Sequence, residues 1–268
     1  MHSDPDTLFA RLWDSYRQVT PSAERIHKIL GAEEGQAIIN DHIALRTFNL
    51  DPVRLEALAE HFLSLGYQQG GEYHFEAKKL YARHYEHPSG NLPKVFISEL
   101  LVEQCSPSLQ ATVSKLIAQV SPDAVTADDF LYSGSHWAID YATYRELLEE
   151  SEYAAWMAAW GYRANHFTVS INHLEHFRTV PDINQLLKDH GYTVNASGGE
   201  VKGSPEELLE QSSTMADRVP VVFTDKTVTI PSCFYEFALR YAKPDGVLYT
   251  GFVAASADKI FESTNAGS

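Results

Sequence analysis

The chain has 12 histidines among 268 residues, and two of them stand where a histidine needs a reason. In 41-DHIALRTF-48 and 165-NHFTVSIN-172 a mostly apolar run opens with a histidine, His42 in the first and His166 in the second. A third run, 233-CFYEFALRY-241, holds a lone acid, Glu236, among aromatic and aliphatic residues. Burying an ionisable group is costly unless it is paired or bound to a metal. Two histidines and one carboxylate from separate strands make the donor set of non-haem Fe(II) centres, which leaves further positions open. Zn, Ni or Mn can use the same donors. No local signature such as HExxH marks the set. A second reading therefore stands beside it, in which His42 and His166 are satisfied core or surface histidines and Glu236 pairs with Arg240 or another cation. His173 and His176 leave their strand toward a loop, and His84 and His87 stand at a strand end before a turn. Solvated surface positions are expected for those four.

Side chains alternate across a strand with period two. His42, Ala44, Arg46 and Phe48 therefore share one face, and His166, Thr168 and Ser170 share another. In the third run Phe234, Glu236, Ala238 and Arg240 go together. Each strand then has an apolar face for helices and a mixed face holding ionisable groups. A concave sheet whose hollow gathers those mixed faces would satisfy them and form a pocket.

The elements that must position these strands repeat. Apolar residues at helical spacing predict a helix over 6–19, and Thr20-Pro21 opens a second that ends near Gly31. A strand over 38–48 follows. Asp51-Pro52 is expected to open a helix that Gly66 closes. Two strands then turn near Lys78-Lys79, and 94-KVFISELL-101 is another strand. Residues 107–160 read as mostly helical with a break at 133-SGSHW-137, and 153-YAAWMAAW-160 as a buried helix. After residue 165 the pattern returns: strand, helix over 182–190, hairpin turning at Asp225-Lys226, strand over 233–241. His42 lies 24 residues before Gly66, and His166 lies 25 before Gly191. Each half ends on a strand with one glutamate, Glu99 or Glu236, and the second half is 12 residues longer there. The extra length falls in 203-GSPEELLEQSSTMAD-217, which reads as an inserted helix.

The expected fold class is α+β, two pseudo-repeated βαβββ modules forming a half-open barrel within a single domain, 1–268. A helical segment over 6–31 precedes module one, 38–101. A helical connection over 107–160 leads to module two, 165–254.

The formal charge is −15, from 36 acidic against 21 basic residues, which speaks against nucleic acid and anionic membrane as partners. Apolar residues make up 44% and charged residues 21%, the balance of a soluble globular chain. The two cysteines, Cys105 and Cys233, exclude a CxxC knuckle and a disulfide framework. The opening MHSDPDTLFARLW lacks the pattern of a signal peptide, and a cytoplasmic enzyme or binding protein is the expectation.

Five stretches, 42-HIALR-46, 166-HFTVSIN-172, 210-EQSSTMAD-217, 235-YEFALRY-241 and 251-GFVAASADKIFEST-264, together resemble the 2-oxoadipate dioxygenase/decarboxylase family, whose fold is close to the vicinal oxygen chelate superfamily. The resemblance runs from about residue 6 to 264, and the HxxxR element and the GF…ADKIFEST run are its most specific parts. It implies His42, His166 and Glu236 as ligands of Fe(II) and Arg46 as the residue that holds a substrate carboxylate. Glu99, at the apparently equivalent place in module one, is left as an outer partner of the metal site or a weak alternative ligand. The implied reaction takes a 2-oxo acid and dioxygen to carbon dioxide and a 2-hydroxy acid one carbon shorter. A Zn- or Ni-dependent isomerase, lyase or hydrolase with Glu99 or Glu236 as base, and a metal-free small-molecule binding protein, are the competing expectations.

Overall fold

A computed structural model describes residues 1–265. The N-terminal helices are α1, Pro5–Val19, and α2, Pro21–Ile29. Module one follows as β1 (Asn40–Phe48), α3 (Leu55–Leu63), β2 (Gln68–Phe75), β3 (Leu80–Glu86) and β4 (Lys94–Leu100). The connection holds α4 (Pro107–Ile117), α5 (Pro122–Val125), α6 (Tyr141–Glu150) and α7 (Glu152–Trp160). Module two is β5 (Ala164–Ser170), α8 (Val180–Asp189), β6 (Lys202–Ser204), β7 (Leu209–Ser213) and, after a separate ribbon of β8 (Arg218–Val222) and β9 (Thr227–Pro231), β10 (Phe234–Arg240). A last helix, α9 (Ala254–Ile260), runs into a 3-10 turn over Phe261–Thr264. Among the described residues no helix is long and apolar enough to cross a membrane.

One eight-stranded sheet runs in the order β2-β3-β4-β1-β5-β10-β7-β6. Within each module the first strand pairs parallel with the last, and the hairpin adds on antiparallel: β1-β4-β3-β2 on one side, β5-β10-β7-β6 on the other. The modules join through the antiparallel pair β1-β5. This is the expected paired-module half-barrel. It places the two histidine-bearing strands side by side at the centre of the sheet.

The outer face of the sheet is the hydrophobic core. Phe167 of β5 lies against Trp13 and Tyr16 of α1, with ring centroids 5.1 and 5.0 Å apart. Helix α7 is apolar nearly all round, and its residues 153–158 are all buried, as expected for a core helix. The polar tips of its aromatics still find partners: Trp156 donates to the Ser232 carbonyl at 2.5 Å and Tyr153 to the Ser98 carbonyl at 2.7 Å. On the inner side α9 touches β2 at one edge and β6 and β7 at the other, so it closes the open side of the curl.

Two expected elements form differently. No helix forms over 203–217; Lys202–Ser204 and Leu209–Ser213 make the hairpin of module two instead. The helix-prone Glu-Glu-Leu-Leu-Glu run is overridden by ladder pairing of Leu209–Ser213 with β10. Gly203, at φ +82°, comes so near the Leu209 carbonyl that a Cβ would lie 2.1 Å from it, which marks a tight hairpin. The hairpin near Asp225-Lys226 exists, but as the separate β8-β9 ribbon, and that ribbon is the true insertion. Helix α3 starts at Leu55 rather than at Asp51-Pro52.

Candidate metal centre

Three ligand atoms, one each from His42, His166 and Glu236, lie within 4.8 Å of one another, and all three residues are buried. The sequence distance between them, 124 residues from His42 to His166 and 70 more to Glu236, is closed by the sheet: β1, β5 and β10 are adjacent strands. The Glu236 carboxylate spans the two rings, with Oε2 3.0 Å from His166 Nε2 and Oε1 3.5 Å from His42 Nε2.

Each ring is oriented by the residue just before it. His42 Nδ1 is 2.8 Å from Asp41 Oδ1, and His166 Nδ1 is 3.0 Å from Asn165 Oδ1. The Asp41 carboxylate only accepts, so His42 carries its proton on Nδ1, and Asn165 Oδ1 accepts from His166 Nδ1 in the same way when a metal takes Nε2. Both Nε2 atoms turn inward, that of His42 also 3.1 Å from the Thr168 hydroxyl. Asp41 reaches its ring because two residues of β1 oppose one of β5 there, a bulge between Asn40 and His42. Arg240 holds Asp41 in turn through Nε at 2.6 Å and Nη2 at 2.9 Å, and donates to the Tyr249 and Gly251 carbonyls at 3.0 and 2.7 Å. The pairing of Glu236 with Arg240 is therefore not the one that forms.

Burial pushes the His166 pKa down, against the pull of the facing Glu236 carboxylate. Burial opposes ionisation of Glu236, yet the facing histidines and the amide of Gln211 outweigh it and hold its carboxyl below the usual range. Two inward-facing ring nitrogens and a carboxylate thus converge in a buried site, and this donor set fits a divalent metal.

The cavity around the trio measures about 20 Å³ and is lined by Arg46, Phe96, Ser98, Asn165, Gln211 and Phe252 among others. Arg46 is 2% exposed; its guanidinium is within 5.6 Å of the ring centroids of Tyr153, Trp156 and Phe261. Nη2 donates to Thr264 at 3.1 Å and Nη1 faces Glu152 at 3.4 Å, while Nε has no partner. Buried polar atoms normally have one. Asn165 Nδ2 and Gln211 Oε1 are likewise buried and unpartnered.

Glu99 is not brought to this site. In the parallel ladder His42 pairs with Lys94, whereas Phe234 pairs with His166. The position in β4 that matches Glu236 is therefore Phe96, and Glu99 is three residues farther on. An odd offset puts a side chain on the other face of the sheet. There Glu99 accepts from the Leu55 backbone N–H at 2.8 Å, capping α3, and burial pushes its pKa up. An isomerase or hydrolase base at Glu99 is thereby removed. Glu99→Ala is expected to cost about 1–2 kcal/mol of stability through the lost cap and to leave metal affinity unchanged; thermal denaturation and a metal titration check both.

A model of the 2-oxoadipate dioxygenase/decarboxylase family matches residues 7–246. The chain belongs to this family. It is a family of enzymes: a rice protein named 2-oxoadipate dioxygenase/decarboxylase, chloroplastic/amyloplastic, is 36% identical over 97% of this chain and 78% of its own length. A crystal structure of hydroxyglutarate synthase from Oryza sativa in complex with 2-oxoadipate superposes with TM-score 0.90 at 36% identity, covering 97% of this chain and 92% of that one. A crystal structure from Shewanella frigidimarina NCIMB 400 is 63% identical, with TM-score 0.90 over 95% of this chain and all of the other.

Sequence reasoning missed four parts of the site. Asp41 and Asn165 were legible as a repeat, since an Asx precedes each histidine. Gln211 was hidden by the helix expected over 203–217. His84 was expected at the surface and is 3% exposed, bonded to Tyr73 and Glu86 at 2.8 Å each. Tyr73 in turn accepts from the backbone of Phe252 at 3.1 Å, and that ring meets His42 edge-on at 4.8 Å. His173 and His176 are exposed, as expected.

Proposed function

We propose that this chain is a metal-dependent dioxygenase that oxidatively decarboxylates a 2-oxo dicarboxylate of the 2-oxoadipate type, yielding carbon dioxide and a 2-hydroxy acid one carbon shorter. The observation that carries the reading is the convergence of His42, His166 and Glu236 on a buried cavity that also holds Arg46. The donor set suits Fe(II), with Mn, Zn or Ni able to use the same atoms. Such a metal supplies the activation of dioxygen and a binding point for the oxo acid.

The chain's own residues do the rest. Arg240 and Asp41 hold the His42 ring, and Asn165 holds that of His166. Glu236 stays ionised and offsets part of the metal's charge. Arg46 grips a substrate carboxylate with a rigid fork, and its unpartnered Nε offers a donor for it. Tyr153, Trp156, Phe252 and Phe261 exclude water, which strengthens each charge interaction inside.

The test is oxygen uptake and carbon dioxide release by protein loaded anaerobically with Fe(II) and given 2-oxoadipate and a panel of other 2-oxo dicarboxylates. No uptake with any of them removes the reading. Arg46→Lys keeps the charge but loses the fork, and kcat/KM is expected to fall roughly 100-fold or more. An unchanged value would take the carboxylate role from Arg46.

A further inference from the structure

Gln211 lies on β7 beside β10 and is 2% exposed. Its two ends have different situations. Nε2 donates to Glu236 Oε1 at 2.5 Å, and Oε1 is buried with no partner. The amide cannot be turned over: an ionised carboxylate only accepts, so the NH2 end must face Glu236 and the carbonyl end is left for the cavity. Asn165 is oriented by the metal ligand beside it: with His166 Nε2 on the metal, Nδ1 carries the proton and donates to the Asn165 carbonyl, so the unpartnered Nδ2 remains a donor. The unpartnered groups around the metal site, among the described residues, are then two donors, Arg46 Nε and Asn165 Nδ2, and one acceptor, Gln211 Oε1.

A fully ionised 2-oxo dicarboxylate has only acceptor oxygens. It can satisfy both donors and cannot satisfy Gln211. A 2-hydroxy acid carries one hydroxyl hydrogen and can satisfy all three. Resting on the reading above, we infer that Gln211 is a specificity-determining residue whose Oε1 accepts the hydroxyl hydrogen of a bound 2-hydroxy acid. The enzyme thereby distinguishes the hydroxylated product class from the oxo acid at the carbon next to the carboxylate. A buried acceptor left unmade is costly, and a matched donor recovers that cost.

The experiment is equilibrium binding under nitrogen, on protein loaded with Mn(II), of a pair matched in length, 2-hydroxyglutarate and 2-oxoglutarate. In Gln211→Met the ratio of the two dissociation constants is expected to shift about tenfold against the hydroxy acid. Loss of the Glu236 contact acts on both ligands and cancels in that ratio. An unchanged ratio, within about twofold, overturns the inference. Gln211→Leu gives the same comparison, and circular dichroism confirms the fold. On unaltered protein the 2-methoxy diacid, which has no hydroxyl hydrogen, is expected to bind at least about tenfold more weakly than the 2-hydroxy diacid; equal affinity overturns the inference without any variant. Failure of the functional reading looks different: 2-oxoadipate then drives no oxygen uptake in the Fe(II)-loaded wild type, whatever the binding ratio.

Discussion

His166→Ala is expected to abolish tight metal binding while the protein still folds. The trio offers one atom from each residue, so the substitution leaves two donors where the site has three. Outer partners of a metal ligand are each worth about 10–100-fold in affinity, and a direct ligand exceeds that range. The ring lies stacked on Phe234, with centroids 4.6 Å apart, so alanine also leaves a small cavity. Its cost of a few kcal/mol is tolerable in a core of this size. The check is metal content after Fe(II) or Zn(II) loading and removal of free ion, with circular dichroism on the same sample. Content equal to the wild type would remove His166 from the ligand set.

Asp41→Asn is expected to produce the largest loss of stability among changes that keep side-chain size. Asp41 and Arg240 are a buried ion pair with two contacts, 2.6 and 2.9 Å, at 7% and 4% exposure. Removing one charge strands the other in the interior, which costs about 3–5 kcal/mol. In a chain of this length that lowers Tm by roughly 10 °C. The same change leaves one acceptor oxygen for both His42 Nδ1 and Arg240 where the carboxylate gave two, and is expected to weaken metal binding about 10-fold. Burial alone would raise the Asp41 pKa, but Arg240 and His42 outweigh it and hold it well below 3.8. A depressed carboxyl pKa stabilises the fold above its unfolded value, and that stability drains away as pH falls through the folded value. The gap in stability between wild type and variant should therefore stay constant above about pH 5 and shrink only in strong acid. Denaturant titration across pH tests this. A gap that closes near neutral pH would mean the pair is not what Asn disrupts.

The site was partly legible because part of its geometry is local. Period-two alternation is a property of any extended backbone. It puts His42 and Arg46 on one face of β1, and both line the cavity. The echo at His166 and the order of elements pointed to two modules, and the sheet pairs them in that order. The resemblance to the family rested on long runs such as HIALR, which survive unchanged whatever surrounds them.

What failed depended on partners distant in sequence. Counting residues made Glu99 the mate of Glu236. Strand register makes it Phe96, because register is set by which carbonyl meets which amide across strands and not by loop length. The run after Gly203 carries helix formers, yet β10 offers its backbone groups a ladder, and that pairing wins. Gln211 became part of the site only through that pairing, which seats it beside Glu236.

The sequence by itself determined the chemistry available: two histidines, a glutamate and an arginine on mixed faces of apolar strands, and the family they signal. Tertiary structure alone decided which of two glutamates meets the histidines, which amides orient them, and that Asp41 is locked to Arg240, 199 residues away. The reason is physical. Alternation and propensity act over a few residues, whereas a metal site needs several donors to converge within a few ångströms, and only strand register and helix packing can bring them there.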